Sequence, residues 1–389
     1  MASYRALLPL IKTACPFLRR TQAVNLAWLV AALVTQRTLC LTTLARMFPR
    51  SEDRRRANPK HELLHRLKRL SRFLSNERVD PVAVQVACIP LVLARLGTPR
   101  QLGLLLDWTS FDATLLGLTG GGRRPYQVLT IAVPRRGRAV PLLSVVYARD
   151  KLPARGSQNK WEQEALAQVF AALPRSIQPV VIGDRGFGRA ELIAWLQRKG
   201  VAYVLRVRRG ARITAADGTH WLLGERAVVR GEQHWYAGVC YGTFNNRPRA
   251  LEINLACSWC APPRRRDSKP TAEEEPWYLA TSLPTLAQAV AWYRQRMWLE
   301  ETFKDFQSGF GLDDTRVSTA ARLGRLVAAL TLAVAWLYLL ALPEARVLPR
   351  GWAASVVTYG RASLLALALA WVDYQLAQGG DPLPLPRAA

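Results

Sequence analysis

The chain is 389 residues long, half of them apolar, and its 54 Lys and Arg against 28 Asp and Glu leave a formal net charge of +26. That length predicts two or three structural units rather than one core, and the apolar share, with 13 Trp, excludes a disordered chain. So large a positive surplus points to a polyanionic partner, meaning nucleic acid or an anionic membrane surface.

Residues 1–96 read as helical, with apolar residues recurring at three- and four-residue spacing through 26–34, 39–47 and 63–74. In HELLHRLKRLSRFLSN, Leu63, Leu64, Leu67, Leu70 and Phe73 share an apolar face, and His65, Arg66, Lys68, Arg69 and Arg72 fall largely elsewhere. With Arg54, Arg55, Arg56 and Lys60 just before it, this is a basic amphipathic helix able to lie against phosphates, and Arg69 and Arg72 are candidate DNA contacts. His61 and His65 sit four apart but lack a third ligand, so they read as surface residues.

From about residue 100 the period shortens. LGLLLD is an apolar run ending in a carboxylate; YQVLTIAVP and AVPLLSVVYA, joined by RRGR, form a hairpin. WEQEALAQVFAALP reads as a helix stopped by Pro174, PVVIGD as a buried strand ending in a carboxylate, GRAELIAWLQRKG as a helix ending at Gly200, and VAYVLRVR as a further strand. The pieces HWLLGERAVV, HWYAGVCYG and RALEINLACSW read as a β-rich insertion, and the Pro-rich, charged APPRRRDSKPTAEEEP reads as a mobile loop or linker. PWYLATSL resumes a strand, and three helices follow over 285–308, 318–342 and 352–376.

The six Cys are scattered, which argues against a disulfide framework, and Cys257 and Cys260 form a single C-x-x-C with no second pair to complete a zinc site. The uncharged stretch 326–342 lies at the lower limit for crossing a bilayer, but it is rich in Ala and closed by Pro343, so it reads as a buried core helix. No signal peptide is expected, the membrane is not a partner, and the location is cytoplasmic.

Three acids stand out. Asp107 ends LLLD and Asp184 ends VVIGD, both where a buried strand emerges. Carboxylates at the ends of adjacent strands can converge at the sheet edge, where mutual repulsion makes a divalent cation their natural partner. The third lies in YRQRMWLEETFKDFQSG, where Tyr293, Arg296 and Glu300 are spaced by three and four and so share a helix face, extended by Lys304. Glu301 lies about 100° away from that face.

This helix resembles the Y-x-x-R-x-x-x-E signature of the IS4-type transposases, a branch of the DDE transposase and integrase superfamily, with Tyr293, Arg296 and Glu300 matching position by position. The pattern continues with a Lys seven residues after the Glu; here Gln307 stands in that place and Lys304 is the nearby cation. DWTS from Asp107 resembles the first catalytic block, GDRGF the second, and KRLSRFLSN the N-terminal region, so that the likeness covers about residues 40–345.

The resemblance implies an α/β fold: an RNase H-like mixed five-stranded sheet flanked by helices, with an all-α N-terminal region and a β-rich insertion. The expected division is a helical DNA-binding region at 1–96, the catalytic core at 97–209 and 277–345, the insertion at 210–276, and a C-terminal helical region at 346–389. It further implies that Asp107, Asp184 and Glu300 are catalytic and hold two Mg2+, with Mn2+ able to substitute, and that Tyr293, Arg296, Lys304 and Arg185 contact DNA. The expected partners are double-stranded DNA, as terminal inverted repeats and as target, and a second copy of the chain in a synaptic homodimer, within a bacterial, nucleoid-associated setting. Trp221, Trp235 and Trp259 are candidates to receive a flipped base. The competing readings are an RNase H-like nuclease that cuts without joining and a domesticated, transposase-derived DNA-binding protein.

Overall fold

Short apolar runs too brief for helices become the strands of one large sheet. The structure, a computed structural model, describes residues 3–49, 59–97, 99–114, 123–148, 158–226, 228–244, 247–248, 251–259, 275–317, 319–341 and 363–380. Most of the charged linker, Arg54 to Arg56, Cys260 and the first part of the 352–376 helix lie outside the described residues.

Five helices come first: α1 (Ser3–Ala14), α2 (Arg20–Gln36), α3 (Leu41–Arg46), α4 (Pro59–Leu74) and α5 (Pro81–Leu96). Then follow β1 (Gln101–Thr114), β2 (Arg123–Arg135), β3 (Arg138–Ala148), α6 (Gln158–Ala172), β4 (Gln178–Gly183), α7 (Ala190–Arg198) and β5 (Ala202–Arg206). The next strands are β6 (Arg212–Thr214), β7 (His220–Leu222), β8 (Gln233–Tyr241), β9 (Thr243–Phe244), β10 (Arg247–Pro248), β11 (Glu252–Ser258) and β12 (Trp277–Thr281). The chain ends with α8 (Leu286–Tyr293), α9 (Met297–Lys304), α10 (Ala320–Ala341) and α11 (Leu364–Ala377).

Among the described residues ten strands share one sheet, in the order β3-β2-β1-β4-β5-β12-β11-β8-β6-β7. The pairs β1–β4 and β4–β5 are parallel, and β2–β3 is an antiparallel hairpin. Its turn places Arg136 at φ 48° and Gly137 at φ 80°, both positive as a two-residue mirror-image turn requires. The mixed α/β sheet is thus as expected, but it does not stop at five strands. β12 pairs antiparallel with β5 on one side and β11 on the other, so the β-rich stretch extends the same sheet. The expected single helix over 285–308 is also divided: a 3-10 turn at Arg294–Arg296 separates α8 from α9, and a π-helical turn, Asp305–Gly309, closes α9.

The chain divides into two compact units. The first comprises Met1–Thr98, Trp108–Pro174 and Trp298–Ala389. Its centre is α10, which packs on β3, α5, α2 and α11. Among the described residues α10 is the one helix long and apolar enough to cross a membrane, yet 83% of its apolar window is buried within the protein, as a core helix must be. Arg325, buried in α10, donates to the carbonyls of Val79 (2.8 Å) and Leu74 (3.1 Å), placing a cation on the carbonyl end of α4. In α4 itself Leu70, Phe73 and Leu74 are buried, while Lys68 and Arg72 face solvent.

At the end of the sheet order, β3 is closed by two side chains instead of another strand. Gln85 of α5 accepts from the Ser144 amide (2.8 Å) and donates to the Ser144 carbonyl (3.1 Å). Thr302 of α9 accepts from the Ala139 amide (2.9 Å) and donates to the Ala139 carbonyl (3.1 Å). One step along, Asp305 accepts from Arg138 Nε (2.8 Å) and from the Tyr338 hydroxyl (2.5 Å), and Arg138 also reaches Glu301 at 3.5 Å. Burial opposes charge on Arg138, but Asp305 outweighs it and holds the guanidinium above its ordinary value. Burial likewise lifts the Tyr338 phenol well above its usual range, reinforced by Asp305.

The second unit comprises Pro99–Asp107 and Arg175–Met297. In it α8, capped by the Thr285 hydroxyl on the Gln288 amide (3.3 Å), packs against β4, β5 and β11, and α7 packs against β5.

The Asp305 cluster gives a direct stability test. Asp305→Ala strands a buried guanidinium and a buried phenol without their shared acceptor and is expected to cost about 3–5 kcal/mol. Thr302→Val, which keeps shape but loses both bonds to Ala139, is expected to cost about 1–3 kcal/mol. Thermal melts of the two variants should fall in that order; a wild-type midpoint for Asp305→Ala would show the cluster to be idle.

Candidate active site

The register of three parallel strands sets the site. Leu106 of β1 pairs with Gly183 of β4, and Gly183 with Leu205 of β5. One residue further along come Asp107, Asp184 and Arg206 at one level: Asp184 directly follows β4 and Arg206 ends β5, whereas Asp107, expected at a strand end, sits midway along β1, which runs on to Thr114. Open α/β sheets place their ligands at the carboxyl ends of their strands. The runs behind these residues, Leu104 to Leu106, Val180 to Ile182 and Tyr203 to Leu205, are fully buried and hold the level rigidly.

Asp107 is itself buried at 8% exposure. Its Oδ2 accepts from Arg296 Nη1 at 3.3 Å, and both side chains are 12% exposed. A carboxylate held in low dielectric needs such a counter-charge. Asp184 begins a tight turn: its Oδ1 accepts from the Gly186 amide (2.8 Å) and its carbonyl from the Phe187 amide (3.0 Å), while Phe187 is buried as the anchor. Arg189 donates to the Gly186 carbonyl and Tyr241 to the Gly188 carbonyl (2.6 Å). Gly188 has to be glycine, since a Cβ there would meet the Arg206 carbonyl oxygen at 2.2 Å.

Tyr293 is buried at 3% exposure, its ring edge-on to Trp277 with centroids 4.9 Å apart. Burial raises its phenol, and the adjacent Arg296 and Arg206 act the other way. Arg185 is half exposed and pairs with Glu275 at 2.7 Å, and Arg206 reaches the same carboxylate oxygen at 3.4 Å. The structure therefore brings together Asp107, Asp184, Arg296 and Tyr293, with Arg185 on the Asp184 turn.

Glu300 and Lys304 lie on α9, in the first unit. Glu300 is half-buried; Lys304 is exposed and pairs with Glu301 at 2.6 Å, which raises its ammonium, with Glu300 adding to the effect. In the same unit Arg72 is exposed, whereas Arg69 is engaged locally: its Nε donates to Asn25 (2.8 Å) and its guanidinium lies 5.8 Å from the Phe48 ring centre. Burial lowers its pKa. Among the described residues no three His, Cys, Asp or Glu side chains form a ready-made metal cage. The donor chemistry is nonetheless that of a hard cation: Asp107 and Asp184 offer carboxylate oxygens at one level. Cys257 is a buried strand residue whose thiol burial pushes up to about 12.

A cleft of about 270 Å3 opens beside the Asp184 turn, lined among others by Arg185, Arg206, Arg209, Trp259, Glu275 and Tyr278. Of the three Trp candidates, Trp221 is covered by Arg226 at 3.7 Å and Trp235 lies in β8, whereas Trp259 lines this cleft. Arg206 and Glu275 were missed by the sequence reading. The signal for Arg206 was available: VAYVLR ends on a charge as LLLD and VVIGD do.

The sequence model of the family described as Transposase DDE domain matches residues 98–336, which include Asp107, Asp184, Tyr293, Arg296 and Glu300. Among curated proteins, none matches the chain.

The Gly188 approach can be tested directly. Gly188→Ala forces the Asp184 turn away from β5 and is expected to cost about 1–3 kcal/mol. Gly210→Ala, whose added methyl meets nothing within 4 Å, is the control. Equal melting temperatures for the two variants would contradict the close approach.

Proposed function

Because the chain belongs to the DDE transposase family, we propose that it is the transposase of an IS4-type insertion sequence. It binds the terminal inverted repeats, cuts at the element's ends and joins the freed 3′-hydroxyls to target DNA. The observation that carries this reading is the strand register that sets Asp107 beside Asp184, with Arg296 and Tyr293 of the signature segment against them. Support also comes from the charge of +26, which suits a DNA substrate.

DDE transposase domains use divalent metal ions, and here Asp107, Asp184 and Glu300 are the residues that would hold them. Two Mg2+ ions, when bound, supply activation of the attacking hydroxyl and stabilisation of the leaving oxygen in an in-line displacement. The residues around them orient and neutralise. Arg296 balances Asp107 and is placed to grip a backbone phosphate. Tyr293 holds the signature segment against β12 through Trp277 and lends its hydroxyl to the same phosphate. Arg185 and Lys304 extend the positive surface, with Arg72 of α4 further out and Arg69 contributing as its bond to Asn25 allows. Trp259 is the residue we assign to a flipped base, because it lines a cleft beside the Asp184 turn. The active assembly is a homodimer on paired ends.

Asp107→Ala, Asp184→Ala and Glu300→Ala are each expected to abolish Mg2+-dependent cleavage of end DNA while gel-shift affinity stays near wild type; efficient cutting by Glu300→Ala would move the third ligand elsewhere. Arg296→Ala is expected to weaken end binding and flatten the plot of log affinity against log salt by about 0.9, the share of one phosphate contact. An unchanged slope would remove Arg296 from the DNA surface.

A further inference from the structure

Arg206 and Trp259 both line the Arg185–Arg206 cleft, and in each a buried donor, Arg206 Nε and the Trp259 indole N–H, lacks an acceptor among the described residues. Buried donors are ordinarily satisfied, so a cleft lined by both residues beside further guanidinium groups is built for an acceptor-rich anion. The only carboxylate lining it is that of Glu275, among described residues. One Glu275 oxygen takes both Arg185 Nη1 (2.7 Å) and Arg206 Nη2 (3.4 Å), bridging two cations as a phosphate oxygen would. Two residues on, Trp277 packs on Tyr293, so the segment entering β12 lies across groups that flank Asp184.

We propose that Glu275 is a tethered anion occupying a phosphodiester subsite formed by Arg185 and Arg206, and that it must leave before DNA can fill that subsite. The proposal rests on the transposase reading and adds self-competition to it. The pair is half exposed, so its hold is weak and displaceable by DNA rather than a permanent block. A phosphodiester brings more acceptor oxygens than the single Glu275 oxygen that the two guanidinium groups now share.

The test uses the full chain, a fluorescein-labelled duplex carrying the element's end, and fixed salt. Glu275→Gln is expected to tighten duplex binding about two- to fivefold, the range an exposed ion pair supplies. The gain should vanish when Glu275→Gln is combined with Arg206→Gln. No gain, or the same gain in both backgrounds, overturns the proposal, since the second outcome is only a change of net charge. Titration with inorganic pyrophosphate separates this idea from the function itself. If the wild-type chain does not bind duplex DNA, the transposase reading fails, yet tighter pyrophosphate binding by Glu275→Gln would still place the glutamate on an anion subsite, and unchanged pyrophosphate binding would remove it.

Discussion

Like charges brought level by strand register are the constraint to which the rest of the site answers. Parallel pairing of β1 with β4 sets Asp107 and Asp184 at one level, in strands whose apolar runs are buried on both faces. The repulsion is therefore permanent and must be balanced locally. Arg296 does so for Asp107, the Gly186 amide does so for Asp184, and Arg206 stands at the same level on β5. A protein seeking stability alone would not set two acids side by side behind six buried apolar residues, Leu104 to Leu106 and Val180 to Ile182. A polyvalent cation and a polyanion together make sense of the arrangement.

Much of this was legible in the residues. Apolar runs followed by a charge marked the level of Asp107, Asp184 and Arg206, and the spacing of Tyr293 and Arg296 marked the stretch whose Arg296 meets Asp107. What was not legible depends on long-range pairing. Nothing in HWYAGVCYG or RALEINLACSW says that they continue the main sheet; that follows from β12 taking a partner on each side, a tertiary fact. Nor does the i, i+3, i+7 pattern announce the 3-10 turn at Arg294–Arg296 or the π turn after Lys304. Local periodicity of three and four residues reads alike through an α-helix and through such short departures from it. Arg69 teaches the same lesson: it reads as a phosphate contact by composition, yet its Nε is used on Asn25.

The tying of α9 is itself instructive. One turn presents Thr302 and Asp305 to the start of β3, and the two differ in kind. Thr302 makes neutral bonds to main chain, which fix position. Asp305 gathers a cation and a phenol, which makes the attachment costly to break but gives it little value unless all three groups remain. A helix so anchored on one side leaves its other side, with Glu300 and Lys304, at a defined angle in its own unit.

Gln85 and Thr302 on β3 carry a further consequence. A long strand at the end of a sheet offers its unused amides and carbonyls to any passing chain, which invites fibre-like association. At Ser144 and at Ala139 those groups are already occupied by a helix-borne amide and a helix-borne hydroxyl. The two side chains act as stoppers against edge-to-edge polymerisation, and they allow crowding without surrendering the fold.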